Sequence, residues 1–317
     1  MTDIFDRIRS SCAAVAERST HVKIDLDRLH RFAADLDTTP PNPDPGQVRI
    51  GDDESTAAFV LTLDSINFGS GYFPWLEKRP GMSGYHTIAT SLRDFVDADG
   101  QITVDGLADM SPSACASIFG QSLDHTMQAE LMGLFSQALI DLGAFVDDLG
   151  DGSFLEVIGA AHGSAATMVE MMDHMPLFHD VHSHADNEVL LYKRAQIVVQ
   201  DLAVAFGHSG PGRFDDIDRL TMFADNLVPH VLRVEGALEF TPQLIGRIET
   251  IDDITVGSEP EVEIRACALH AVELLRQMLD DRGVAISSAD LDNMLWNLGA
   301  DSRYKRVLRH RSRCAFY

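Results

Sequence analysis

The sequence predicts a mainly α fold, and three observations carry that expectation. Apolar residues recur at three- and four-residue spacing along most of the 317 residues. There is no strand-helix alternation, no G-x-G-x-x-G, no Walker loop and no internal repeat. The little strand signal falls near residues 45–65, where a small sheet is expected. The length suits one large domain, or two lobes divided near 110–125, with an ample core.

The elements follow in order. Residues 3–18 put Ile4, Phe5, Ile8, Cys12 and Val15 on one helical face. A second helix over 24–36 stops before DTTPPNPDPG at 37–46, whose four prolines forbid a helix or inner strand. Over 56–68, Phe59, Val60, Leu63 and Ile66 keep helical spacing, although AAFVLTL within it also reads as a buried strand. Residues 125–147 form a long amphipathic helix, and 154–161 and 165–172 are helical around a methionine-rich core. DHMPLFHDVHSHADNE at 173–188 reads as a polar loop. Its His174, His179, His182 and His184 lack the i,i+4 pairing of a hydrolytic zinc helix; only His182 and His184 could chelate, from an extended segment.

The rest of the chain is organised around residues 187–238. Leu190, Leu191, Ala195, Val198, Leu202 and Ala205 predict an amphipathic helix ending at Gly207. Gly210, Pro211 and Gly212 predict a tight hairpin. Phe214, Ile217, Leu220 and Phe223 mark a second short helix, and Leu227 to Leu238 a third, with Pro229 in its first turn. Further helices are expected over 241–248, 262–281 and 291–299, the last opened by a capping-box variant at Ser287 to Asp290.

Charge and cysteine content narrow the function. There are 25 basic and 49 acidic residues, a net of −24. Such a surface repels long polyanions, so a nucleic-acid partner is not expected, whereas a small nucleotide can bind beside a few local cations. Arg303, Lys305, Arg306, Arg309, Arg311 and Arg313 supply such a cluster near the C-terminus. Cys12, Cys115, Cys267 and Cys314 are scattered, as suits free thiols in a reducing compartment. No signal-peptide core and no run approaching membrane-spanning length is read, so a soluble cytoplasmic protein with no membrane partner is expected. The pattern carries no cofactor or metal motif and leaves the oligomeric state open.

Two features of the central stretch look chemical. Lys193, Gln196 and Gln200 form one polar stripe on the first helix. Asp225 stands at the start of the third, where a helix N-terminus favours a carboxylate in its ionised form and the apolar Met222, Phe223 and Ala224 oppose that by desolvation. A plain helix cap by Asp225 or Asn226 is the blander reading. Asp64 and Asn67, three apart, with Phe68, could hold a purine-like base; alternatively Asp64 bonds nearby backbone and Phe68 is core. Tyr85 and His86 follow a glycine-rich loop and could close over a ligand.

Helix, glycine hairpin, helix and then an Asp at the next helix start resembles the helix-hairpin-helix DNA glycosylases. LYKRAQI, LTMFADNLVP and the terminal HRSRCAFY, in that order, are similar to the queuosine salvage family of queuosine 5'-phosphate N-glycosylases. Arg9 to Val22 (R-x-x-x-x-x-V-A-E-R-S-x-H-V), LDSINF at 63–68 and EVEIRACALHAVELL at 261–275 extend the resemblance over nearly the whole chain. GSGYFPWLEKRPGMSG at 69–84 departs from the short aromatic-rich run of many family members.

The resemblance implies hydrolysis of the N-glycosidic bond of queuosine 5'-monophosphate. Asp225 would stabilise an oxocarbenium-like transition state, with Lys193 in an electrostatic role. Asp64, Ser65, Asn67, Phe68, Tyr85, His86, Gln196 and Asn226 would contact substrate, and a docked tail would bring Arg311, Arg313 and Tyr317 to it. The rivals are a base-excision glycosylase acting on nucleic acid, a noncatalytic nucleotide-binding module, and a metallohydrolase built on the His cluster.

Overall fold

A computed structural model of the chain, describing residues 3–39, 49–99 and 101–317, is mainly helical. Helix α1 (Ile4–Arg18) starts where Asp3 accepts the N–H of Asp6, and it buries the five predicted apolar residues. Strand β1 (Val22–Ile24) and helix α2 (Leu26–Asp35) follow. Most of the proline-rich linker lies outside the described residues. Helix α3 (Asp53–Ser65) settles AAFVLTL as helix; every residue from Thr56 to Ser65 is buried, so no amphipathic stripe marked it. Among the described residues of 45–65 there is no strand, against the expected small sheet.

Helices α4 (Gly84–Asp99), α5 (Val104–Ala108), α6 (Pro112–Phe119) and α7 (Thr126–Gly150) come next. Helix α7 corrects one expectation, because by length and composition it could cross a membrane. Over half of its apolar window, 56%, is instead buried in protein, with α3, α5, α6 and α8 (Phe154–Ala160) packed on it. Helix α9 (Ala165–Met172) then leads into 173–188.

That segment is not simply a polar loop. Strands β2 (Val181–His184) and β3 (Asn187–Leu190) form an antiparallel hairpin, with Val181 opposite Leu190 and His184 opposite Asn187. Helix α10 (Lys193–Ala205) therefore starts at Lys193, later than the periodicity predicted. Asp180 fixes this start. Its carbonyl accepts the N–H of Leu191 and its carboxylate accepts the N–H of Lys193.

The second short helix expected over 214–223 is only one 3-10 turn, Ile217–Arg219, followed by extended chain. Side chains take up the backbone groups a helix would have paired: Gln196 accepts the N–H of Thr221, and Asp292 that of Phe223. The helix-hairpin-helix unit is thus incomplete. Helix α11 (Val228–Val234) is short, and Leu238 belongs to strand β4 (Leu238–Phe240), antiparallel to β1.

Helices α12 (Pro242–Glu249), α13 (Glu259–Asp280), α14 (Ser288–Leu298) and α15 (Ser302–Lys305) complete the fold. Helix α13 packs on α1, α2, α11, α14, β1 and β2. Buried apolar residues from Ile4 to Ala315 form one contiguous core, with residues on both sides of 110–125 in it. The tail docks as extended chain. Its Ser312 carbonyl would lie 2.1 Å from a Cβ at position 71, so only glycine fits there, and the Gly69 N–H donates to the Tyr317 carbonyl at 2.9 Å.

Candidate active site

A cavity of about 2070 Å³ opens where the start of α10, the loop before α11, helix α14, the loop after α3 and the C-terminal tail meet. Asp225 lines it, and its Oδ1 also accepts the N–H groups of Leu227 at 2.8 Å and Val228 at 3.0 Å. Capping and cavity-facing are one geometry. Burial pushes its carboxyl above the ordinary range, against Lys193, the two N–H groups and Arg309.

Lys193 points into the same cavity, and its Nζ donates to the Asn67 carbonyl at 3.0 Å. Burial lowers its pKa, and Asp225, Asp64 and Asp292 oppose that. The ammonium thus sits among three carboxylates. Tyr192, just before it, is held in the left-handed region at φ 47°, a conformation that costs a non-glycine residue and turns the chain sharply from β3 into α10.

Asp292 was not anticipated. It lines the cavity from α14, and its Oδ1 accepts the Phe223 N–H at 3.1 Å. Burial first, and then the Asp225 charge, push its carboxyl well above the ordinary range. Two carboxylates and one ammonium therefore share one poorly solvated space. Such a pair resists double ionisation and favours a retained proton.

A buried ion pair holds this arrangement. Arg265, fully buried in α13, makes two bonds to Asp180, of 2.9 and 2.6 Å. Its Nε donates to the Ala224 carbonyl at 2.8 Å, fixing the residue before Asp225. Asp180 at the same time holds the first amide of α10. The ring of Tyr317 lies 4.5 Å from the Arg265 guanidinium, and its hydroxyl donates to Glu261 at 2.9 Å.

Of the other predicted residues, Asn67, Phe68, Tyr85, His86, Asn226 and Tyr317 line the cavity. Tyr85 meets Trp296 edge-on at 6.4 Å, and Asn226 Nδ2 donates to Ser70 Oγ at 2.9 Å. Helix α3 ends at Ser65, so Asn67 lies beyond it, yet its amide still reaches Asp64 at 3.4 Å.

Five of the residues expected to contact substrate do not line this cavity. Asp64 is fully buried behind it, with its carboxyl pushed up to about 7 by burial. Ser65 is buried beside it, its carbonyl accepting from Arg194 at 2.6 Å. Gln196 turns to Thr221 and the Leu191 carbonyl. Arg311 and Arg313 both grip Asp253, at 2.6 and 2.7 Å, which leaves neither open to a phosphate.

The His-rich segment is structural. His179 bonds Asp173, His182 bonds Asp180 and His184 bonds Glu263. His184, Glu259 and Glu263 lie close enough to hold a metal ion, but Glu263 already accepts the N–H groups of Thr20, His21 and Val22.

Comparison with known proteins shows the family of the chain. A family model described as queuosine salvage protein matches residues 48–317. The chain belongs to the queuosine salvage family. A queuosine 5'-phosphate N-glycosylase/hydrolase of Sphaerobacter thermophilus is 33% identical over the full length of both chains. Proteins of the same name from Dictyostelium discoideum and Mus musculus are 32% and 28% identical, over 83% and 98% of this chain and 79% and 98% of theirs. In this queuosine salvage protein the departing loop 69–84 supplies cavity wall through Ser70, Phe73, Lys78, Gly81, Ser83 and Gly84.

Proposed function

We propose that this chain hydrolyses the N-glycosidic bond of queuosine 5'-monophosphate, releasing queuine for salvage into tRNA modification and leaving ribose 5-phosphate. The observation that carries this is Asp225 at the wall of a nucleotide-sized or larger cavity, with Lys193 electrostatically coupled to it, in a chain of the queuosine salvage family. The C1'–N9 bond breaks and its electron pair leaves with the base. Positive charge then builds on C1' and the ring oxygen, and the Asp225 carboxylate stabilises it. Water adds its oxygen to C1' and yields a proton, for which Asp225 is the acceptor.

The base is a 7-deazapurine and has no N7 to protonate, so help must reach it elsewhere on the ring. Asp292, held toward its protonated form by burial and by Asp225, is the group suited to donate a hydrogen bond or a proton there. Lys193 keeps the two carboxyls from repelling each other and holds Asp225 ionised. The net charge of −24 favours a free nucleotide over a polynucleotide.

Mass spectrometry of products from queuosine 5'-monophosphate and pure protein tests this. Queuine and ribose 5-phosphate should appear in equal amounts. Intact nucleotide after prolonged incubation, or release only from damaged duplex DNA, would sink the proposal.

A further inference from the structure

We propose that Gln196 is a positioning residue, which sets from outside the cavity the direction in which Asp225 faces the reacting carbon. This deepens the function proposed above and rests on it. Residues 220–225, the run that ends on Asp225, belong to no helix or strand. No backbone ladder aims such a run, so side chains must hold its polar groups. Four do, each from a different helix. Arg9 of α1 donates to the Leu220 carbonyl at 3.3 Å, and Gln196 of α10 accepts the Thr221 N–H at 2.8 Å. Asp292 of α14 accepts the Phe223 N–H at 3.1 Å, and Arg265 of α13 donates to the Ala224 carbonyl at 2.8 Å.

Gln196 differs from the other three in where it stands. It lies on the same helix as Lys193, so its bond to Thr221 joins the helix bearing the ammonium directly to the run bearing the carboxylate. Its Nε2 donates to Thr221 Oγ1 at 3.0 Å and to the Leu191 carbonyl at 3.1 Å, just ahead of Lys193. The amide thus uses both donors and its acceptor, on both sides of the gap. The side chain is fully buried and does not line the cavity.

The Arg265–Asp180 pair already joins these two segments at one point, with Ala224 on one side and the first amide of α10 on the other. Two segments joined at a single point keep their separation but can turn about it. Thr221 stands up to about 10 Å along the chain from Ala224, so a second tie there stops the turn. Asp225 follows Ala224 directly, and its carboxylate inherits the fixed direction. Displacing a reacting group by ~1 Å costs about a hundredfold in rate.

Steady-state queuine release by Gln196→Met, Asp225→Asn and the double variant, against the parent, tests the assignment. Gln196→Met roughly keeps the side-chain volume and removes the amide. If Gln196 acts through Asp225, its loss should lower kcat on the order of a hundredfold in the parent, with KM little changed. In Asp225→Asn, where no carboxylate is left to aim, the same change should cost at most about tenfold. Equal factors in the two backgrounds would show a general loss of structure and overturn the assignment, as would an unchanged kcat in Gln196→Met. Gln196→Glu serves if the Met protein does not fold. Burial favours its neutral acid, which keeps an acceptor for Thr221 and one donor for Leu191. Its kcat should fall about tenfold, the scale of one lost hydrogen bond, and that fall should shrink in Asp225→Asn. Amide hydrogen exchange read by mass spectrometry needs no turnover. Residues 219–225 should exchange faster in either Gln196 variant, with α11 unchanged; parental exchange over 219–225 would overturn the tie. Absence of queuine from the parent, with exchange still governed by Gln196, would instead overturn the proposed function alone.

Discussion

Replacing Asp225 with Asn removes one charge and little else. The amide oxygen can still accept the N–H groups of Leu227 and Val228, now at 2.8 and 3.0 Å, so the cap on α11 survives. A carboxylate about 4 Å from a developing cation, at an effective dielectric near 20, contributes ~4 kcal/mol. That corresponds to a fall in kcat of roughly a thousandfold. KM should change little, because the interaction strengthens only as charge builds on the sugar. Stability should hold or rise, since burial disfavours the Asp225 charge in the folded protein. Single-turnover and steady-state queuine release, with thermal melts of both proteins, measure all three quantities. A kcat within tenfold of the parent would refute the charge-stabilisation argument. A large loss accompanied by a lower melting temperature would show a structural role instead.

Three further substitutions follow from the same geometry. Asp64→Asn reads the acid buried behind the cavity, whose folded pKa of about 7 stands above the unfolded value of 3.8. The unfolded chain therefore loses that proton first, so the parent loses stability as pH rises from 4 to 7 and levels off above. The difference is bounded at ~4 kcal/mol, and urea midpoints across that range should show the decline flattened in the variant. Arg265→Lys leaves Asp180 and the Ala224 carbonyl underbonded; denaturation should show a loss of about 3 kcal/mol or more, with kcat reduced because Asp225 and Lys193 lose a common anchor. Tyr85→Ala removes an aromatic from the wall shared with Trp296, and if the base stacks there KM should rise about tenfold with kcat preserved.

Much of the helical order was legible in local pattern, and the two charged residues singled out in the sequence, Asp225 and Lys193, line one cavity. Spacing marks α1, α7 and α13, a side-chain cap adds to it in α1, and the family motifs bracket both charged residues. Two of the misses share a physical origin, namely contacts made far along the chain. Asp292 lies 69 residues from its partner Phe223, and nothing in LDNMLWNLG shows which face will meet that loop. Arg311 and Arg313 were expected at the substrate, and what draws both side chains elsewhere is Asp253, 58 residues before Arg311. Gln196 failed for a local reason. It stands roughly 60° round the helix from Lys193, whereas Gln200 returns almost to the same line, and both Lys193 and Gln200 face the cavity. The second short helix failed because side chains distant in sequence, Gln196 and Asp292, take up the N–H groups of Thr221 and Phe223.

The Arg265–Asp180 pair ties together two charged groups that lie 32 residues apart in the chain. They can shift only as one body, so the distance between acid and ammonium is insulated from drift in the outer walls. Variation in substrate shape must then be absorbed where the chain is free of that anchor, on the rim formed by residues 69–84. A lineage could remodel that rim to take a bulkier base while the bond-breaking machinery stayed untouched.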